Sequence, residues 1–298
     1  MRNLIIIFLL FISTCASAQT FQERLDSLSG LLYTLRNTTN PTETAIADQD
    51  FERALESTLV FPEAFKADFS DMKTLGCVLS LDEEFRIFSW NVEQPDGSQV
   101  YHAFVVKPGK QKNKVIKLED KVQLLTKGSE VESFDNKRWY GALYYQIIPV
   151  KGKRGTFYTL MGWDGTSSLS TRRVIETMQL SGNKVRFGIP VIRTSNGVIR
   201  RMVFEYADEI SMVMRFEDKG KKNQHIVFDH LSPKAPQLEG FYEQYVPDGS
   251  YDALHLVDGE WVLITDYNAT NKKQLIEKRF NDPNDPNNPN NPNKVPPR

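Results

Sequence analysis

Cysteine is nearly absent from this chain of 298 residues: only Cys15 and Cys77 occur. Such scarcity excludes a small scaffold held by disulfides, and it leaves no Cys-x-x-Cys pair for zinc or redox chemistry. Cys77 sits among apolar neighbours (Leu75, Gly76, Val78, Leu79) with no cation or histidine adjacent in sequence. It reads as a core thiol rather than a nucleophile. Charge of one sign is also lacking. The 37 basic and 38 acidic residues nearly cancel, which argues against nucleic acid and gives no electrostatic reason to bind anionic lipid. Histidine is rare, at four positions (His102, His225, His230, His255) without the spacing of a chelating pair. There is no Gly-x-Ser-x-Gly elbow, no His-Glu-x-x-His helix and no phosphate-binding glycine loop. Ser70-Asp71-Met72-Lys73 matches Ser-x-x-Lys, but the companion Ser-Asp-Asn and Lys-Thr-Gly motifs are missing. Nothing in the sequence calls for a cofactor or a metal.

Long apolar runs are missing too, apart from one short run at the start. Arg2 precedes the run LIIIFLLFI (4–12), and Ala16-Ser17-Ala18 supplies small residues before Gln19. These are the parts of a secretory signal peptide. The run is far shorter than the roughly twenty residues of a transmembrane helix. Residues 1–18 are therefore expected to be removed and the protein to be exported, periplasmic or secreted, with no transmembrane segment left. Loss of Arg2 leaves 36 basic against 38 acidic residues. A lipid anchor on Cys15 is the alternative, with Ser13-Thr14 as a poor lead-in.

The rest of the chain divides by its periodicity. Phe21, Leu25, Leu28, Leu31, Leu32 and Leu35 mark one face of a helix, which Asn37 to Pro41 should end. A second helix is expected over 50–59, and Phe65, Phe69 and Met72 suggest a further helical turn. This helical region (19–80) is too short to bury its own apolar face, so it is expected to pack on the main domain. From Phe85 onward the period is two. Runs 85–92 and 98–106 flank Pro95-Asp96-Gly97. Runs 139–150 and 156–163 flank Gly152 to Gly155, and runs 185–193 and 198–206 flank Asn196-Gly197. Alternation over 210–216 leads through a basic turn to 225–231, and 251–257 pairs with 260–267 around Asp258-Gly259. Repeated hairpins of this kind predict a mainly β, antiparallel, sandwich-like or open-barrel domain over 81–280. A partial propeller is the remaining topology, and a parallel sheet is not expected. The Asn, Asp and Pro repeat of 281–298 reads as a disordered tail without a calcium-loop pattern.

Chemistry is most concentrated in two loops. One holds Trp163 and Asp164 in GWDGTSS, and the other holds Asp248, Tyr251 and Asp252 in YVPDGSYD. Aromatic faces beside carboxylates suit sugars, whose C–H faces stack and whose hydroxyls donate. The same residues also make ordinary β-turns. If the loops converge, Asp164, Asp248 and Asp252 form a carboxylate cluster for acid–base work or for a hard cation. His102, between Val100 and Phe104, reads as a half-buried, hydrogen-bonded side chain.

The motifs FRIFSWN (85–91), YTLMGWDG (158–165), FDHLSP (228–233) and YVPDGSYDAL (245–254) resemble those of a group of uncharacterised secreted proteins of Bacteroidota-type bacteria. The resemblance implies export and carries no activity or site residue. The expected function is an exported, non-catalytic module that binds a cell-envelope glycan or protein. The alternatives are a cell-wall or polysaccharide hydrolase with paired carboxylates, and a purely structural envelope protein.

Overall fold

A computed structural model describes residues 20–121, 127–153, 155–165, 167–220 and 223–268. Residues 1–18, expected to be a signal peptide, and the Asn/Pro-rich 281–298 lie outside the described residues. The chain opens with α1 (Phe21–Asn37) and α2 (Pro41–Leu59). Thr20 and Glu23 form a reciprocal capping box on α1. The proline expected to end the first helix also starts the second. Pro41 takes the first helical position, where no backbone donor is needed, and Asn40 Oδ1 accepts from the amides of Thr42 and Glu43. The second helix therefore begins nine residues before the expected Asp50. A short 3-10 turn, Pro62–Phe65, replaces the third helical segment.

Sixteen strands follow among the described residues. β1 (Gly76–Leu79), β2 (Arg86–Glu93), β3 (Gln99–Lys107) and β4 (Lys114–Glu119) form one antiparallel sheet in that order. β5 (Phe134–Asp135), β6 (Leu143–Gly152), β7 (Gly155–Asp164), β8 (Ser170–Ser181) and β9 (Lys184–Phe187) form a second, ordered β5-β9-β8-β7-β6. β10 (Ile192–Thr194) and β11 (Gly197–Ile199) make a small hairpin at the edge of the third sheet. β12 (Arg201–Ala207) returns to β8 in the second. β13 (Met214–Asp218), β14 (Gln224–Pro233), β15 (Tyr245–Val257) and β16 (Glu260–Ile264) complete the third.

Alternation along these strands sorts their side chains into three buried layers. Phe88, Trp90, Val92, Phe104 and Val106 face the helices and meet Leu28, Leu32, Phe51 and Leu55. Ile87, Ala103, Val105 and Leu118, on the opposite face, meet Tyr144, Leu160, Val174 and Phe187 of the second sheet. The far face of that sheet (Ile148, Val150, Met161, Ile175) packs on Ile226, Phe228, Leu254 and Trp261 of the third. The architecture is a stack of helices, sheet, sheet and sheet, a sandwich extended by one layer. Each fully buried Leu or Phe contributes about 1.5–3 kcal/mol of transfer free energy. The helical lead packs on the first sheet, as its exposed apolar stripe requires. Two polar ties add direction: Trp90 Nε1 donates to Asp48 Oδ1 at 2.9 Å, and Arg36 Nη1 donates to the Asn91 carbonyl at 2.6 Å. Between the second and third sheets, the buried Trp261 Nε1 donates to Thr159 Oγ1 at 2.7 Å.

Several boundaries differ from expectation. β1 lies inside the segment assigned to the helical lead. The hairpin expected over 185–206 is divided into β9, β10, β11 and β12, shared by two sheets, because Gly188, Pro190 and Arg200 interrupt it. Residues 139–142 precede β6 rather than belonging to it, and Gly141 has φ 74°. One pairing is parallel: β10 runs alongside β16 through Ile192–Trp261 and Arg193–Val262.

Candidate functional site

Asp164 ends β7 on the face toward the first sheet, where it is buried. Its Oδ1 accepts from Tyr101 Oη at 3.0 Å, and Arg172 Nη1 lies 3.6 Å from Oδ2. Tyr101 Oη also accepts from the Gly165 amide at 2.7 Å, and Arg172 continues to Glu205 at 3.0 Å. A second acid joins from the residue after β4: Asp120 Oδ2 accepts from the Tyr101 amide at 3.0 Å. Burial raises Asp120 to about 6, the Tyr101 amide opposes that shift, and the charge of Asp164 adds to it. Trp163 points to the opposite face of β7, and its ring lies 2.4 Å from where a Cβ on residue 165 would sit, so the ring packs over Gly165.

Asp248 and Asp252 share β15 and meet around His230. Asp252 Oδ2 lies 2.8 Å from His230 Nδ1, and Oδ1 accepts from the Asp266 amide. The hydrogen bond to Asp252 raises the His230 pKa, partial burial opposes the shift, and the charges of Asp252, Asp248 and Asp266 add to it. Asp248 accepts from Ser232 Oγ and from the amide and hydroxyl of Ser250, which is turn chemistry. Tyr251 lies on the other face of the third sheet, opposite Asp229, with the Arg215 guanidinium 5.9 Å from its ring centre. The structure thus gathers Asp248 and Asp252 at the third sheet. The named partners of Asp164 belong to the first and second sheets. Asp229 turns away from His230 and accepts from the Val213 amide. His225 stacks on His255 at 4.4 Å.

A sizeable concavity lies elsewhere. A cleft of about 830 Å³ opens between the helices and the β2–β3 hairpin. Its walls carry Asp48, Gln49 and Glu52 from α2, Arg36 and Thr38 from the end of α1, and His102 from β3. Leu35, Val92, Pro95 and Val100 add apolar surface. Asp48 and Glu52 are one helical turn apart, so both reach His102 from the same side. His102 Nε2 lies 2.8 Å from Asp48 and Nδ1 lies 3.8 Å from Glu52. Lys117 pairs with Glu52 as well. Beneath them Trp90 stands directly across from His102 and stacks on it at 4.8 Å and 10°.

The electrostatics follow from this arrangement. Burial disfavours a charged His102, but the close contacts and charges of Asp48 and Glu52 outweigh it and raise its pKa to about 9. The close contact with His102 is the largest influence on Glu52; burial opposes it, Lys117 reinforces it, and the net is a pKa of about 2. At neutral pH the cleft therefore presents a fixed imidazolium and a fixed carboxylate. The sequence signal for this site is weak: His102 stands among apolar strand residues, and Asp48 and Gln49 lie on the part of α2 that precedes the helix expected over 50–59. Among the described residues no group of three or more His, Cys, Asp or Glu side chains is arranged to hold a metal ion. Half-buried Cys77 is pushed up to about 11, chiefly by desolvation. No protein-family model, curated protein or solved structure matches the chain.

Proposed function

We propose that the protein is an exported binding module, and that its ligand is a hydroxyl-rich glycan held in the cleft between the helices and the first sheet. The observation that carries this reading is the cleft itself, a volume within the range of small-ligand sites, lined by fixed charges and amides beside apolar patches. Fixed charges orient hydroxyls, and Leu35, Val92, Pro95 and Val100 offer surface to sugar C–H faces. The titration behaviour supports binding over proton transfer. A general acid or base works best with a pKa near the working pH, whereas Glu52 and His102 are driven in opposite directions, to about 2 and about 9.

The test is saturation-transfer NMR with soluble peptidoglycan fragments and neutral oligosaccharides. Gln49→Trp, which fills the cleft from an exposed helix position, should weaken binding by about tenfold or more. Absence of binding by the unaltered protein, or equal binding by the variant, sinks the proposal. A second reading, a polysaccharide hydrolase, is favoured by Asp120 and Asp164 on either side of Tyr101, with Asp120 near 6. It requires that Asp164→Ala and Asp120→Asn each abolish release of reducing ends from such fragments. Activity that survives both changes removes it.

A further inference from the structure

The near-zero net charge of the chain conceals one local excess. At the outer edge of the second sheet, a concavity of about 720 Å³ lies between the 133–138 turn and the turn that starts β9. Four cationic side chains line it: Lys137, Arg138, Lys184 and Arg186. Lys184 and Arg186 alternate with buried Val185 and Phe187, so both project from the side of β9 that the core does not use. Arg138 lies over the Phe134 ring at 5.3 Å, which fixes its guanidinium plane.

The carboxylates nearby neutralise this group only in part. Asp135 is directly opposite Arg186 across the β5–β9 ladder. Its Oδ1 instead accepts from the amides of Lys137 and Arg138, at 2.9 and 3.0 Å. Asp135 thereby shapes the turn that presents the two cations. Glu132 reaches Arg138 at 3.6 Å as an exposed pair. Glu119 feels Lys137 but pairs with Lys121. Among the described residues, Lys137, Lys184 and Arg186 make no salt bridge. The amides of Asn136 and Asn183 supply further donors at the same rim.

We propose that this concavity is a binding site for a phosphate-type oxyanion, separate from the cleft. Guanidinium and ammonium groups lining one concavity, three of them in no salt bridge among the described residues, match the planar or tetrahedral oxygens of such an anion, and Arg gives the bidentate geometry. The ligand class is a phosphomonoester or phosphodiester, carried either by a soluble sugar or by a lipid headgroup. The site does not depend on the cleft, so each proposal fails or survives alone.

The experiment is a titration of the ¹⁵N-labelled protein with inorganic phosphate, glucose 6-phosphate and unmodified glucose, at about 50 mM salt so that screening is weak. Phosphatidylglycerol vesicles, with phosphatidylcholine vesicles as control, form a second arm read by co-sedimentation. The expected result is saturable shifts confined to 133–138 and 183–186 with the two phosphate compounds and none with glucose. Lys184→Ala/Arg186→Ala changes two exposed side chains, keeps the buried strand face, and should weaken the response by about tenfold or more. Binding to phosphatidylglycerol alone, lost in that variant, assigns the lipid headgroup as the source. Shifts scattered over the surface, an unchanged response in the variant, or no response to any phosphate probe overturn the proposal.

Discussion

The linked network of Asp48, Glu52 and His102 makes stability depend on pH in a direction that can be worked out. His102 titrates near 6.5 in an unfolded chain and at about 9 in the folded protein. The folded state therefore holds its proton more tightly than the unfolded state. That stabilisation is fully present below pH 6.5 and is lost as the pH rises through 9. The difference amounts to about 3 kcal/mol at most, at 1.36 kcal/mol per unit. Glu52 acts in the opposite sense. Its pKa falls to about 2 from an ordinary 4.5, so its contribution is present above 4.5 and is lost as the pH falls toward 2. The two contributions share one His102–Glu52 contact and must not be added. Urea denaturation of the protein at intervals from pH 5.5 to 9.5 measures the alkaline limb. His230 also has a raised pKa and contributes with the same sign, so the informative quantity is the difference between the protein and His102→Asn. That difference should shrink by about 2–3 kcal/mol between pH 6.5 and 9. A difference that stays flat across that interval, or an NMR titration placing the His102 imidazole near 6.5, refutes the reasoning.

Two further outcomes follow from the structure. Arg201 and Glu176 are wholly buried and paired at 2.6 Å, so Arg201→Met alone should cost about 3–5 kcal/mol, and adding Glu176→Leu should recover a large part of that loss in a denaturation cycle. Gly141 has φ 74°, and a Cβ there would stand 2.4 Å from the Tyr101 ring; Gly141→Ala should lower the thermal midpoint by several degrees, whereas the same change at Gly30, which meets nothing within 4 Å in α1, should raise it slightly.

The period-two rhythm from Phe85 made the β2–β3, β6–β7 and β15–β16 hairpins legible, because each joins two runs of apolar and β-branched residues through a turn carrying glycine. β8 was not legible for a physical reason. It is buried on both sides, with Val174 and Met178 facing one layer and Ile175 the other. Its Arg172, Glu176 and Thr177 find internal partners, yet in sequence they read as surface. Buried charge that is satisfied only by distant residues cannot be recognised without the fold. The first half of α2 was hidden by Asn40-Pro41, a pair that ends one helix and starts the next. The same oversight hid the cleft, since Asp48 belongs to that half. Asp164, Asp248 and Asp252 were visible as acids beside aromatics, but what each touches depends on which sheet its strand joins.

Separation of the sheets also explains where a ligand can act. The second sheet is covered on both faces, so Asp120 and Asp164 meet in a layer interface shared with Tyr101. The cleft instead lies where the helices stop short of the β2–β3 hairpin and leave polar wall exposed. His102 connects the two regions, because it neighbours Tyr101 on β3 and the two side chains point to opposite faces. A ligand that displaces His102 from Asp48 would therefore act on the strand that carries Tyr101. The Asp164 hydrogen bond is the place to look for that strain.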